Sequence, residues 1–102
     1  MQEQQQPSCC RRKHTPRDEQ AKRKLVNRLN RMIGQLGGIK KIVEEDRYCG
    51  DILMQIAAVE SALQALGYVV LQDHMESCVV EEIQKGNTAI VDEAIELVKK
   101  LK

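Results

Sequence analysis

A histidine and a cysteine lie four residues apart in the stretch DHMESCVV, at His74 and Cys78. In a helix, side chains at this spacing share one face, with their Cβ atoms about 5 to 6 Å apart. An imidazole and a thiolate at that distance can bind one metal ion. The same pair can also be a reactive thiol beside a base, or two ordinary residues of a buried face, because the spacing often arises by chance.

A third candidate, Cys49, lies at the expected start of the same helix. A helix of about 25 residues separates it from His74 by about 37 Å, so the three side chains cannot meet within one chain. Two copies of the helix packed antiparallel about a twofold axis would bring Cys49 of one chain to His74 and Cys78 of the other. The helices would then cross near residues 62 and 63, in the small-residue sequence AAVESALQA. The spacing therefore predicts two identical sites, each shared between two chains.

Two thiolates and one imidazole form a soft to borderline donor set. Such a set suits Cu(I), which accepts three ligands, whereas structural zinc usually takes four; Glu81 or Asp73 could supply the fourth. A redox pair of Cys49 and Cys78 is an alternative, but it gives His74 no role. No pattern for a substrate pocket or an oxyanion hole accompanies these residues, so we do not expect an enzyme.

Apolar residues recur at alternating spacings of four and three along most of the chain, which predicts helices and an all-α fold. The first helix is expected to begin near Pro16, and the second to cover about 49–84. A helix of that length, about 50 Å, exceeds what one small domain can bury, so a partner chain is expected. Gly86 is a good stop for the second helix, and Asn87 or Thr88 can cap the third.

The beginning of the chain has a different character. Residues 1–16 are rich in glutamine, then basic, and show no apolar periodicity, so they are predicted to form a disordered tail. Residues 17–102 are then expected to form the helical domain, which carries the candidate metal ligands. The tail carries Cys9, Cys10 and His14, which could form a second soft site and whose role the sequence leaves open.

Charge is divided unevenly, although the formal net charge is only +1. Residues 11–41 hold eleven basic and two acidic residues, a net charge of +9, whereas residues 42–102 hold five basic and twelve acidic residues, a net charge of −7. This asymmetry indicates a polyanion, and nucleic acid above all, as the partner of the first half. No uninterrupted apolar run approaches the roughly 20 residues of a membrane helix, and no secretion signal begins the chain, so we expect no membrane partner and a cytoplasmic location.

The stretch RLNRMIGQLGGIKKIVEEDRYCGDILMQIAAV (28–59), followed by DHMESCV (73–79), resembles the copper-sensing operon repressor (CsoR) family. This family is a branch of the CsoR/RcnR group of bacterial transcriptional repressors, and the resemblance covers roughly residues 18–100. It implies a three-helix protomer, a dimer built as an antiparallel four-helix bundle, and a dimer-of-dimers tetramer. It also implies that the metal-free protein binds operator DNA and that Cu(I) releases it, which derepresses copper efflux or resistance genes.

The resemblance assigns the metal ligands to Cys49 of one protomer and to His74 and Cys78 of the other, in agreement with the spacing argument. It also implies supporting side chains beside the ligands, which are Tyr48 and, on the third helix, Glu93 or else Glu96. The presence of both cysteines and the histidine selects the copper branch over the nickel and cobalt, persulfide and formaldehyde branches. The alternatives are a thiol-redox repressor that responds to persulfide, and a cytosolic copper buffer that does not bind DNA.

The family binds DNA without a standard recognition helix, and the basic face of its first helix is implicated, which matches the positive segment found here. The predicted contacts to phosphate or groove are Arg17, Lys22, Arg23, Lys24, Arg28, Arg31 and Gln35. Lys24, Arg28 and Arg31 share one helix face, since they are four and three residues apart, so we expect them to contribute most. Contacts to phosphate make the affinity fall steeply with salt.

Overall fold

A computed structural model describes residues 15–101 of the chain. Within that range all regular structure is helical and no strand occurs, which confirms the predicted all-α fold of three helical stretches. The elements are α1 (Glu19–Glu44), α2 (Cys49–Asp73), a π-helical segment (His74–Val79), α3 (Val80–Gln84) and α4 (Ala89–Leu101). From Cys49 to Gln84 the helix is continuous, as predicted for the second stretch. The tail residues Cys9, Cys10 and His14 lie outside the described residues.

The first helix begins at Glu19, three residues later than predicted from Pro16, because Asp18 caps it. The Asp18 backbone is extended (φ −68°, ψ 164°), and its carboxylate accepts a hydrogen bond from the Ala21 N–H at 2.7 Å. This bond satisfies one N–H of the first turn that has no partner within the helix. Loss of such a cap typically costs about 0.5–2 kcal/mol of stability.

Four residues, 45–48, connect α1 to α2. Asp46 adopts a left-handed backbone conformation with φ 55°, and the Arg47 N–H donates to the Ile42 carbonyl at 3.0 Å, which ends α1. A connection this short makes the two helices neighbours, and Arg17–Tyr68 forms one compact unit. The buried side chains of this unit are Met32, Val59 and Leu66.

Many large apolar side chains of α1 and α2 are exposed in the single chain. Leu36 is 54% exposed, Leu63 is 56% exposed and Ile56 is 39% exposed. In the most apolar stretch of the long helix, 11% of the residues are buried. Contiguous exposed apolar surface of this kind marks an interaction site. The exposed stripe therefore agrees with the expectation of a partner chain.

By length and composition alone, the helix Cys49–Gln84 could cross a membrane. Polar residues scattered along this helix break it into short apolar runs, which is why no uninterrupted run predicts a membrane helix. Length and composition are weak evidence for a membrane span, because an apolar helix that is covered by protein meets the same criteria.

Three glycines interrupt the apolar stripe of α1, and the spacing that continues through them predicts close approach by another helix. A Cβ atom added to Gly34, Gly37 or Gly38 would meet no atom within 4 Å. Residues 15–101 of the same chain therefore do not make this approach.

The second compact unit contains the end of α2, the π-helical segment, α3 and α4. Val79, Ile90 and Ala94 form its apolar cluster, with Ile90 and Ala94 each 2% exposed. These contacts hold α4 against the π-helical segment. An isolated helix of 13 residues is marginal in water, so α4 depends on this packing.

Gly86 ends the long helix, as predicted. Its φ is 88°, and its N–H donates to the Ile83 carbonyl at 2.9 Å, while the Asn87 N–H donates to the Glu82 carbonyl at 2.9 Å. These two bonds form a Schellman motif, in which glycine adopts the left-handed conformation at no steric cost. Thr88 directly precedes α4, whereas the Asn87 side chain donates to the Glu82 carboxylate at 2.7 Å.

Candidate metal centre

His74 and Cys78 lie at the first and fifth positions of the π-helical segment, where the sequence predicts an α-helix. A π-helix closes its hydrogen bonds over five residues, so a residue four positions on stays within one turn and on the same side. Cys78 is buried and forms no disulfide within the described residues, and His74 is half-buried. The structure therefore brings these two predicted ligands together. Short π-helical turns occur frequently at functional sites.

Ser77 stabilises this turn, and the sequence analysis did not single it out. Its hydroxyl donates to the Asp73 carbonyl at 2.8 Å, and its oxygen lies 3.9 Å from the Cys78 sulfur. A serine that bonds back over four residues often bends a helix. A serine between two candidate ligands is a sequence signal, but it is too common to predict a π-helix.

The Nε2 atom of His74 is buried and has no hydrogen-bond partner among residues 15–101. Most buried polar atoms of side chains have such a partner. A neutral imidazole nitrogen without one can act as a metal ligand. Together with the Cys78 thiolate, this nitrogen fits a soft or borderline metal ion such as Cu(I).

Cys49 is the first residue of α2, and its thiol is exposed and free. Tyr48, directly before it, is 76% exposed, and its ring lies against Gly50. Residues 15–101 contain no group of three or more His, Cys, Asp or Glu side chains placed to hold a metal ion. Within the described residues, Cys49 therefore does not join His74 and Cys78 in one group of candidate ligands.

The two glutamates predicted beside the metal both lie on α4. Glu93 is half-buried and directly precedes the buried Ala94 of the apolar cluster. Glu96 is exposed and lies 3.5 Å from Lys99, with which it forms an ion pair at the surface. The position of Glu93 therefore favours it over Glu96, in the order that the sequence analysis gave.

The residues predicted to bind DNA are placed along α1, except Arg17, which precedes the helix. Lys22 pairs with Glu19 at 3.9 Å, and both side chains are largely exposed, so this pair contributes little to stability. Lys24, Arg28 and Arg31 have no acidic partner within the described part of the chain. Their charges are therefore available to a polyanion.

Gln35 continues the same helix one turn after Arg31. Its Oε1 atom is buried and has no hydrogen-bond partner in the range 15–101. The sequence predicted Gln35 as a DNA contact, and this position on α1 is compatible with that role.

The family model described as "Metal-sensitive transcriptional repressor" matches residues 21–100. The copper-sensing transcriptional repressor CsoR of Bacillus subtilis is 41% identical over 80 residues, which cover 78% of this chain and 79% of that protein. The copper-sensing transcriptional repressor RicR of Mycobacterium tuberculosis is 42% identical over 67 residues, covering 66% of this chain and 70% of the relative.

Two solved structures are also similar. The copper-sensing repressor CsoR with Cu(I) from Geobacillus thermodenitrificans has a TM-score of 0.80 at 35% identity, and the match covers 86% of this chain and 93% of that one. The nickel-responsive transcriptional regulator InrS has a TM-score of 0.67 at 36% identity, with 87% and 98% covered. The fold, the candidate ligands and these matches lead to one conclusion: the chain belongs to the family of metal-sensitive transcriptional repressors.

Proposed function

We propose that this protein is a Cu(I)-responsive transcriptional repressor of the cytoplasm. Its metal-free form binds operator DNA, and Cu(I) releases it, so that copper efflux or resistance genes are expressed. The observation that carries the proposal is the position of His74 and Cys78 on one helical turn. The Nε2 atom of His74 is buried there, and no residue in the range 15–101 forms a hydrogen bond with it. Two similar proteins are named copper-sensing repressors, and a similar structure holds Cu(I).

Each metal site is built from two chains, with Cys49 of one protomer facing His74 and Cys78 of its partner. Three observations support this arrangement. Cys49 is exposed and free, the α2 stripe is largely uncovered, and the middle of α2 presents the exposed small residues Ala57, Ala58 and Ser61. Two such helices can cross closely and antiparallel, which creates two identical sites per dimer. Two dimers then form a tetramer.

Bound Cu(I) supplies coordination bonds that link the two protomers. Each protomer contributes the Cys49 thiolate to one site and the His74 imidazole and Cys78 thiolate to the other. Filling both sites therefore fixes the two α2 helices relative to each other. The exposed Tyr48 ring is available to shield the metal site from water, and Glu93 on α4 supports the site.

The basic face of α1 is the part that contacts operator DNA. Lys24, Arg28 and Arg31 bind phosphates, and the connection 45–48 transmits a change in the packing of α2 to α1 because it is only four residues long. Copper binding and DNA binding then weaken each other by the same factor, as thermodynamic linkage requires.

The proposal is tested by titrating a complex of the protein and its own upstream DNA with Cu(I), Zn(II), Ni(II) and polysulfide. We expect Cu(I) to lower the operator affinity about 5- to 150-fold, the usual range of allosteric coupling. Release by polysulfide alone would instead support the thiol-redox repressor. Tight copper binding with no DNA binding would support the copper buffer.

A further inference from the structure

Glu82 is the only charged side chain that is buried among the described residues, with 5% of its surface exposed. It lies four residues after Cys78 and belongs neither to the proposed ligands nor to the proposed DNA contacts. Burying a carboxylate is unfavourable unless it is hydrogen-bonded, and an apolar residue would fill the space at lower cost. The contacts of Glu82 therefore indicate what it does.

The contacts of Glu82 connect α3 to the turn that follows it. The Glu82 Oε1 atom accepts a hydrogen bond from the Asn87 side-chain amide at 2.7 Å. The Glu82 carbonyl accepts a second bond from the Asn87 backbone N–H at 2.9 Å. Lys85 lies 3.7 Å from Oε2, but its side chain is 55% exposed, so this ion pair is weak. Asn87 is thus held to Glu82 by both its backbone and its side chain.

This double connection lies next to the start of α4. Asn87 precedes α4 by two residues, and α4 packs through Ile90 and Ala94 on Val79. Val79 directly follows the candidate ligand Cys78. The Glu82–Asn87 pair therefore joins α3 to the turn before α4, and the apolar cluster joins α4 to the helical segment that carries Cys78.

We propose that Glu82 is a positioning residue: through Asn87 it holds α4 against the π-helical segment, so that the state of the metal site is transmitted to α4. The first part rests on contacts within this unit, and the second rests on the function proposed above. Neither Glu82 nor Asn87 is a proposed metal ligand or a proposed DNA contact.

The test exchanges the two partners of the hydrogen bond. In Asn87→Asp, two carboxylates face each other and the bond is lost. In the double variant Glu82→Gln with Asn87→Asp, an amide again donates to a carboxylate, in the opposite direction. The neighbouring Glu81→Gln is the matched control, because the bond of Glu81 to the Thr15 hydroxyl is at the surface. All variants are made in the full-length chain.

The first measurement is amide hydrogen exchange in the copper-free protein, with α1 as the internal reference. We expect exchange in α4 to become roughly tenfold faster in Asn87→Asp, because a charge-assisted hydrogen bond is lost. The double variant should return to within about threefold of the wild type, and Glu81→Gln should not differ from it. A double variant as fast as Asn87→Asp, or an Asn87→Asp protein with unchanged exchange, overturns the positioning role.

The second measurement is the loss of operator affinity on adding Cu(I). Asn87→Asp should reduce this loss about fivefold or more while the metal-free affinity stays the same, and the double variant should restore it. If the double variant restores slow exchange in α4 but not the copper-induced loss of operator affinity, the proposed transmission from the metal site to α4 is wrong. If the wild-type protein stays bound to its operator in the presence of Cu(I), the proposed function is wrong instead. The hydrogen-exchange data still decide whether Glu82 positions α4.

Discussion

The most informative single atom in this chain is Nε2 of His74. It is buried without a hydrogen-bond partner in residues 15–101, and leaving such an atom unsatisfied typically costs about 1–3 kcal/mol. A metal ion that accepts its lone pair would remove this cost. The same residue follows α2 at the point where α-helix changes to π-helix, so a ligand bond to it acts on the backbone turn as well.

Replacing His74 should therefore separate copper binding from the response to copper. In His74→Ala the two thiolates still bind Cu(I), but the turn loses the bond that pulls on it. We expect the copper-induced loss of operator affinity to shrink by about fivefold or more, and copper affinity to fall by less than that. Copper affinity is measured by competition with a Cu(I) chelator, and the copper-induced loss of operator affinity is measured by operator titration. Met75→Leu is the control, and a His74→Ala protein that responds like the wild type contradicts this role.

At the scale of elements, α1 carries the charge that the sequence assigns to DNA binding. It holds seven basic and two acidic residues, and three of the basic ones lie on one face without an acidic partner in the described chain. Phosphate contacts from one face of a helix give affinity without sequence recognition. If α1 binds DNA in this way, recognition of a sequence needs further contacts, for which Gln35 is the predicted candidate.

Neutralising this face should weaken operator binding and lower its dependence on salt. For Arg28→Gln and Arg31→Gln, each lost phosphate contact should reduce the slope of log affinity against log salt by about 0.9. The measurement is fluorescence anisotropy of labelled operator over a range of salt concentrations. Lys100→Gln on α4 removes the same charge outside α1 and should leave the slope unchanged. An equal effect of all three substitutions would show net charge, and not α1, to be responsible.

At the scale of the whole molecule, a second copy of the chain would account for two features of its described residues. Its long apolar helix is mostly exposed, and its described residues form no complete metal site. Both facts have the same explanation if two α2 helices cover each other and each completes the site of its partner. In the proposed arrangement the apolar surface would drive the association, and the proposed ligands at opposite ends of the helix Cys49–Gln84 would couple metal binding to it.

Mixed dimers test whether the site is shared. Cys49→Ser and Cys78→Ser chains should each fail to bind Cu(I) tightly alone, whereas a dimer of one of each should bind one ion, because one site has all its ligands. A dimer of a wild-type chain and a Cys49→Ser/Cys78→Ser chain contains the same number of these cysteines but no complete shared site, so it should not bind tightly. Metal content after chelator competition distinguishes the two mixed dimers. Tight binding by the dimer that contains the doubly substituted chain, but not by the dimer of the two single variants, would assign the site to a single chain.

Several features of the fold could be predicted because local chemistry determines them. The alternating apolar spacing predicts the helices, and Gly86 ends the long helix because a Schellman turn needs a left-handed residue. The start of α1 was predicted three residues early, since Asp18 competes with Pro16 as the first-turn signal and its side-chain bond to Ala21 decides. The candidate ligands could be named from residue type and spacing alone.

The sequence by itself determined an all-α chain with His74 and Cys78 on one helix and Cys49 at the far end of it. Only the tertiary structure decided that His74 and Cys78 lie in a π-helical turn, that Nε2 of His74 is buried, and that Glu82 binds Asn87. Helical periodicity is a property of neighbouring residues and is therefore visible in the sequence. A π-helical turn and a buried carboxylate depend on the packing of α4 and on hydrogen bonds across a chain reversal, which no local pattern encodes.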